Sequence, residues 1–161
     1  MGVAVKVALA SDSSGFRLKE AVKAYLQATG YEVVDVGQTS EDGPVSYVDA
    51  ASSLAGAVQS GPCRRGIVIC GTGAGVSLVA NKFKGIYCVP CESLYTAQRS
   101  SLINNANVLA MGERIVGHEM ACEMAGAWLR NGWCDGFDGE RRERNMRGFQ
   151  ALQEIEGRNL K

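Results

Sequence analysis

Apolar and polar positions follow two rhythms along this chain. Short apolar runs at residues 3–9, 31–36, 67–70, 86–89 and 107–110 read as strands. Between them the apolar residues recur at helical spacing. In 16–28, Leu18, Ala21, Val22, Tyr25 and Leu26 predict a helix, and Gly30 supplies its C-cap. Residues 48–59 predict a helix rich in small side chains, broken by Gly61-Pro62. Further helices are predicted at 76–82, at 94–103 with Ser93 as cap, and at 118–130, where Asn131-Gly132 stops it. Residues 37–44 form a turn-rich loop. From Gly139 onward the chain is charged, with Met146, Phe149, Leu152 and Ile155 at every third position. That spacing predicts a last helix packed by one narrow stripe. Five strands alternating with helices predict an α/β fold: a Rossmann-like three-layer α/β/α sandwich around a five-stranded parallel sheet. The pattern is read as a single domain over 1–161 with a helical tail from about 139.

In such sheets ligands bind beyond the carboxyl ends of the strands. Those ends carry Asp12, Cys70 with its glycines, Glu92, and Met111-Gly112. The most informative stretch is 66–85, GIVICGTGAGVSLVANKFKG. A buried strand ends at Cys70, turns through Gly71, Gly73 and Gly75, and runs into a helix. Backbone N–H groups exposed at such a turn suit an anion or a developing negative charge. A cysteine beside them stands in an electropositive setting that favours reactivity. Cys70 is therefore predicted to be a base next to an oxyanion-stabilising glycine loop. A cysteine closing a core strand also serves as a small buried hydrophobe, and position by itself does not separate the two.

Composition narrows the classes. Seventeen basic and seventeen acidic residues give a formal net charge of zero, so no global field draws the chain to nucleic acid or anionic lipid. No apolar run approaches the roughly 18 residues of a membrane span, and the N-terminus reads as a strand rather than a signal peptide. Six cysteines without small-scaffold spacing read as reduced thiols of a cytoplasmic protein. Cys88-Val-Pro-Cys91 lacks a second pair, and the one histidine, His118, is far along the chain, so no metal is expected. The glycine loop is no Walker A, since no Gly-Lys-Ser/Thr closes it. As a dinucleotide fingerprint it sets the third glycine one residue early. Glu92 lies where a ribose-binding acid would, which keeps nicotinamide-nucleotide binding as a minor alternative.

The block ICGTGAGVSLVANKFKGI, residues 69–86, resembles ribose-5-phosphate isomerase B and the galactose-6-phosphate isomerase subunits, whose CGTGxGxxxxANK pattern it carries intact. ASDSSGFRLKEAVKAYL near the start, NNANVLAMGERIVG at 104–117 and GERRERNMRGFQAL at 139–152 extend the resemblance along nearly the whole chain. It implies aldose–ketose isomerisation of a phosphorylated sugar, of the ribose 5-phosphate/ribulose 5-phosphate type, without metal or organic cofactor. It makes Cys70 the proton acceptor, with Thr72 at a sugar oxygen and Gly71, Gly73, Ala74 and Gly75 around the reacting carbon. Asp12 then holds the sugar, Asn104 and Arg114 contact substrate, and Arg141 binds phosphate. The resemblance further implies a homodimer or tetramer with sites shared between subunits, which gives Arg114 a place in the neighbour's pocket. The chemistry agrees, since an enediolate path needs a base and fixed N–H donors.

Three positions depart from the family pattern. Ser13 stands where the family has histidine after the first-strand aspartate. Ile103 stands at the ring-opening histidine, and Asn145 at the second arginine of the tail, with Arg144 beside it. Ile103 cannot transfer a proton. Ser13 and Asn145 remain candidate substrate contacts with less charge. These losses point to another sugar phosphate, such as galactose 6-phosphate, a tetrose phosphate or one already open-chain. They also leave room for a non-catalytic sugar-phosphate-binding subunit. The segments VDVGQ at 34–38 and YVDA at 47–50 look like the galactose-6-phosphate isomerase subunit that works with a partner chain.

Overall fold

The computed structural model describes residues 5–160. Its strands are β1 (Lys6–Ser11), β2 (Glu32–Asp35), β3 (Arg65–Cys70), β4 (Cys88–Pro90) and β5 (Val108–Gly112). Its helices are α1 (Phe16–Ala28), α2 (Tyr47–Gln59), α3 (Ala74–Ala80), α4 (Leu94–Leu102), α5 (His118–Arg130) and α6 (Gly139–Asn159). The strands form one parallel sheet in the order β2-β1-β3-β5-β4.

Alternate side chains of the central strands feed two cores, as a doubly covered sheet requires. Val7, Leu9, Ile67, Ile69, Leu109 and Met111 pack with α1, α4 and α5. Ala8, Ala10, Val68, Cys70, Val108 and Ala110 pack with α2 and α3. The second face is lined by small residues, and α2 answers with Ala50, Ala51 and Ala55. This is the predicted three-layer α/β/α sandwich. The chain leaves β1 toward β2 on one side, and β3 pairs on the other. The crevice at the carboxyl ends of β1 and β3 is therefore the switch point at which ligands bind in such sheets.

Several boundaries differ from the sequence reading. Strand β1 is Lys6–Ser11 instead of 3–9, because pairing with β3 continues to Ser11–Ile69; residues 3 and 4 lie outside the described residues. Strand β4 begins at Cys88, not at 86. Gly85 turns with φ +80°, and the Asn107 side chain takes the Tyr87 amide (2.8 Å) and donates to the Gly85 carbonyl (2.7 Å). Helix α3 starts at Ala74, two residues early, directly after Gly73.

The last helix forms, but not with a packed stripe. No residue of α6 is buried, and Met146, Leu152 and Ile155 are 47, 43 and 54% exposed. A strict three-residue spacing drifts by about 60° per step on a helix of 3.6 residues per turn, so four such residues spread over half its circumference. Phe149 alone of the four packs on aromatic partners, with ring centroids 5.0 Å from Tyr87 and 5.1 Å from Trp133. Glu156 adds polar anchors, accepting from the Gly85 amide (2.7 Å) and the Tyr87 hydroxyl (2.9 Å).

Candidate active site

Strand β3 delivers Cys70 to the crevice with 5% of its surface exposed. The chain then lifts off the sheet through Gly71, Thr72 and Gly73. Gly73 has φ +80°, and a Cβ there would stand 3.0 Å from the Met111 carbonyl carbon, so this position requires glycine twice over. The reversal brings the Gly73 N–H to 3.1 Å from Cys70 Sγ, to which it donates. Thr72 is exposed, and its hydroxyl oxygen accepts from the Ala74 amide at 3.3 Å. The first amides of α3, at Ala74, Gly75 and Val76, have no preceding helical carbonyl to bond.

Strand β5 fixes the loop from the other side. The Glu113 amide donates to the Cys70 carbonyl (2.9 Å) and the Arg114 amide to the Gly71 carbonyl (3.0 Å). This places the exposed Arg114 beside its own chain's loop. Its Nε lies 3.7 Å from where a Gly71 Cβ would be. Ser14 Oγ lies 3.3 Å from that same point. At Gly75 the equivalent point is 3.0 Å from the Tyr47 ring, so α2 closes the loop's other flank.

The turn after β1 completes the cluster. Asp12 accepts on one carboxylate oxygen from the Gly15 amide (3.0 Å) and the Ser14 hydroxyl (2.7 Å), capping the short 3-10 turn Ser13–Gly15. Gly15 packs on β3, where a Cβ would come within 2.7 Å of the Ile69 carbonyl. Asp12, Ser13, Cys70, Gly71, Thr72, Gly73, Ala74, Gly75 and Arg114 thus share one crevice.

Asn104, Asn145 and Arg141 do not join them. Val108 pairs with Gly66, and Gly112 with Cys70. Asn104, ahead of Val108, is therefore at the opposite end of the sheet from Cys70, at least a strand length of about 13 Å away. There Ile103, Asn104, Arg144, Asn145 and Phe149 line a cleft of about 240 Å³. The Asn145 Nδ2 is buried without a hydrogen-bond partner among the described residues. Arg141, at the start of α6, lies over the Phe137 ring at 3.8 Å.

Sequence reasoning overlooked Ser14, Gln38 and Glu113. Ser14 was open to detection, because aspartate two residues before a serine and three before a glycine is an Asx-turn pattern. Glu113 accepts from the Leu18 amide (2.9 Å) and Gln38 from the Ser13 hydroxyl (2.7 Å), contacts between residues 95 and 25 positions apart with no local signature. Among the described residues no three His, Cys, Asp or Glu side chains are grouped to hold a metal ion, and the cysteines are free thiols.

Residues 7–148 match the family described as Ribose/Galactose Isomerase. This chain belongs to that family. It is an aldose–ketose isomerase of the sugar-phosphate type, as the resemblance implied. The 4-deoxy-4-sulfo-D-erythrose isomerase of Clostridium sp. (strain MSTE9) is 45% identical over 86% of this chain and 87% of its own length. The D-erythrulose-4-phosphate isomerase of Pectobacterium atrosepticum is 42% identical over 78% and 82%. Among solved structures, the Clostridium thermocellum ribose-5-phosphate isomerase B superposes with a TM-score of 0.86 at 39% identity, covering 96% of this chain and 99% of that one. No helix among the described residues is long and apolar enough to cross a membrane.

Proposed function

We propose that this isomerase interconverts a short open-chain aldose and its ketose through Cys70, on a substrate ending in an anionic group. The observation that carries this reading is Cys70 Sγ at the foot of the glycine turn, under the Gly73 amide at 3.1 Å. The thiolate takes the proton from C2 of the aldose. The electron pair of that C–H bond forms the C1–C2 double bond, and the carbonyl pair passes to O1. A proton moves from O2 to O1 as the carbonyl re-forms at C2, and Cys70 returns its proton to C1. Thr72, the Gly75 and Val76 amides and the Arg114 guanidinium are the groups this reading turns toward the oxyanion of this path.

Substrate size follows from Ile103. A pentose 5-phosphate closes into a furanose and needs proton transfer to open. A hydrocarbon side chain at the family's ring-opening position supplies none. A four-carbon sugar whose C4 bears phosphate or sulfonate has no free O4 and cannot close that ring. Two relatives act, by their names, on such compounds. The pentose reading stands second, favoured by the likeness to ribose-5-phosphate isomerase B.

The cleft at Ile103, Asn104, Arg144 and Asn145 fits this chemistry when a second copy carries it to the Cys70 crevice. The chain is accordingly read as a homodimer with shared sites. In D2O with a panel of tetrose, pentose and hexose phosphates and 4-deoxy-4-sulfoerythrose, deuterium is expected at C1 or C2 of the four-carbon compounds. Cys70→Ala should lower that exchange by about 10²–10⁴-fold, the range of a lost general base. A folded wild-type protein that exchanges none of them would overturn the reading.

A further inference from the structure

Helix α4 ends at the cleft on the amino side of the sheet. A helix leaves its last carbonyls without partners of its own. After Ile103 the chain reverses at Asn105, with φ +55°, and the Ala106 amide returns to the Ser100 carbonyl (3.0 Å). The next carbonyls are met from the α5–α6 connection, 30 residues further on. The Cys134 amide donates to the Leu102 carbonyl (2.9 Å), and Trp133 Nε1 donates to the Ile103 carbonyl (3.3 Å). Cys134 is 1% exposed and has φ +62°, a left-handed conformation that residues with a Cβ rarely adopt. Such a backbone persists where its surroundings over-determine it, and the end of α4 is part of those surroundings here. Asp135 closes the same connection by accepting from the Gly132 amide (2.7 Å).

The Trp133 ring meets the cleft's other wall. Its centroid is 5.1 Å from that of Phe149, which lines the cleft from α6 beside Arg144 and Asn145. Tyr87 touches Phe149 from the β4 side at 5.0 Å, and Glu156 anchors α6 about two turns further on. Trp133 thus joins both walls, with an N–H on the turn that carries Ile103 and Asn104 and a ring on the face of α6. It stands behind the lining residues.

We propose that Trp133 is a positioning residue that sets the spacing between the Ile103–Asn104 turn and α6, and through that spacing the affinity for substrate. The proposal rests on the isomerase reading and on the cleft's place in it. An indole N–H donates a hydrogen bond without giving up its proton, so Trp133 acts on binding and leaves the proton transfer to Cys70.

Calorimetric binding of erythritol 4-phosphate, a four-carbon polyol that cannot isomerise, tests it beside deuterium exchange on D-erythrose 4-phosphate. Trp133→Phe keeps a ring against Phe149 and removes the N–H. It should weaken the polyol phosphate about three- to tenfold, the loss of one hydrogen bond, raise KM by the same factor and leave kcat within about twofold. A lower urea midpoint with affinity and KM unchanged would make Trp133 a residue of the framework alone and overturn the proposal. A fall in kcat at unchanged KM would overturn it too. Asp135→Ala loosens the same connection at an exposed position and reports should Trp133→Phe fail to fold. It should weaken the polyol phosphate about two- to threefold, as a surface hydrogen bond acting at one remove, and unchanged binding would count against the proposal. A wild type that binds the polyol phosphate yet exchanges no deuterium would sink the isomerase reading while the Trp133 comparison still stands. A wild type that does not bind the polyol phosphate would overturn both.

Discussion

At Gly112 the crevice has no room for another atom. A Cβ there would lie 2.5–2.7 Å from the Cα, carbonyl carbon and oxygen of Thr72, all backbone that cannot swing aside. Gly112→Ala must push Thr72 and the turn above Cys70 outward. The expected cost is about 1–3 kcal/mol, as for other over-packed sites. The displaced loop should lower deuterium exchange more than tenfold. Gly157→Ala is the control: the residue lies inside α6, and nothing stands within 4 Å of its Cβ position. It should raise stability by about 0.5–1 kcal/mol, the usual gain of alanine over glycine in a helix. Urea unfolding of both variants checks the two signs, and an unchanged midpoint for Gly112→Ala would mean that the loop yields freely. The tight fit was half legible in sequence. Alternating glycines announced a close turn after β3, but the partner that makes Gly112 indispensable comes from β5, about forty residues on.

Among the elements, legibility tracked how local the determinant is. Helices α1 and α5 have the bounds that apolar spacing and stop signals predict, since Gly30 (φ +93°) and Asn131 end them within the chain itself. Strand β4 was misplaced because side chains replace ladder bonds around it. Asn81 donates to the Cys88 carbonyl (2.9 Å) and accepts from its amide (2.8 Å), holding this three-residue edge strand in place. Two buried thiols bound this edge, Cys88 opening the strand and Cys91 following it. Burial pushes Cys88 up to about 12 and Cys91 up to about 11, from 9.0. The folded state therefore keeps protons that the unfolded chain releases near pH 9. The stability these thiols lend is fully present below pH 9 and is lost as pH climbs toward 11–12. Between pH 8 and 10.5 the urea midpoint of the wild type should fall further than that of the Cys88→Ala/Cys91→Ala variant. Equal falls would show that these thiols ionise freely in the folded protein.

For the molecule as a whole, the decisive feature is that one chain holds the two groups of candidate site residues at opposite ends of its sheet. Cys70, Thr72 and Asp12 are at the carboxyl end, and Asn104, ahead of β5, shares a cleft with Asn145 of α6 at the other. In a parallel sheet the order of the sequence already sets Asn104, ahead of the strand predicted at 107–110, at the amino end; what motif spacing could not show is that α6 brings Asn145 beside it. Helix α6 meanwhile leaves Met146, Leu152 and Ile155 exposed, an apolar surface that a second copy would cover. If the copies are exchanged symmetrically, each active crevice takes Cys70 from one subunit and the Asn104 cleft from the other. Two crippled proteins should then repair each other. Cys70→Ala and an Asn104→Ala/Asn145→Ala double variant should each be nearly inactive. After joint refolding at equal amounts, half of the dimers are mixed. Each mixed dimer has one crivice with every lesion and one with none, so about a quarter of wild-type exchange should return. Light scattering on the same sample should give twice the chain mass. If each chain built its crevice alone, mixing would give only the mean of the two parents, and the shared-site assembly would be wrong.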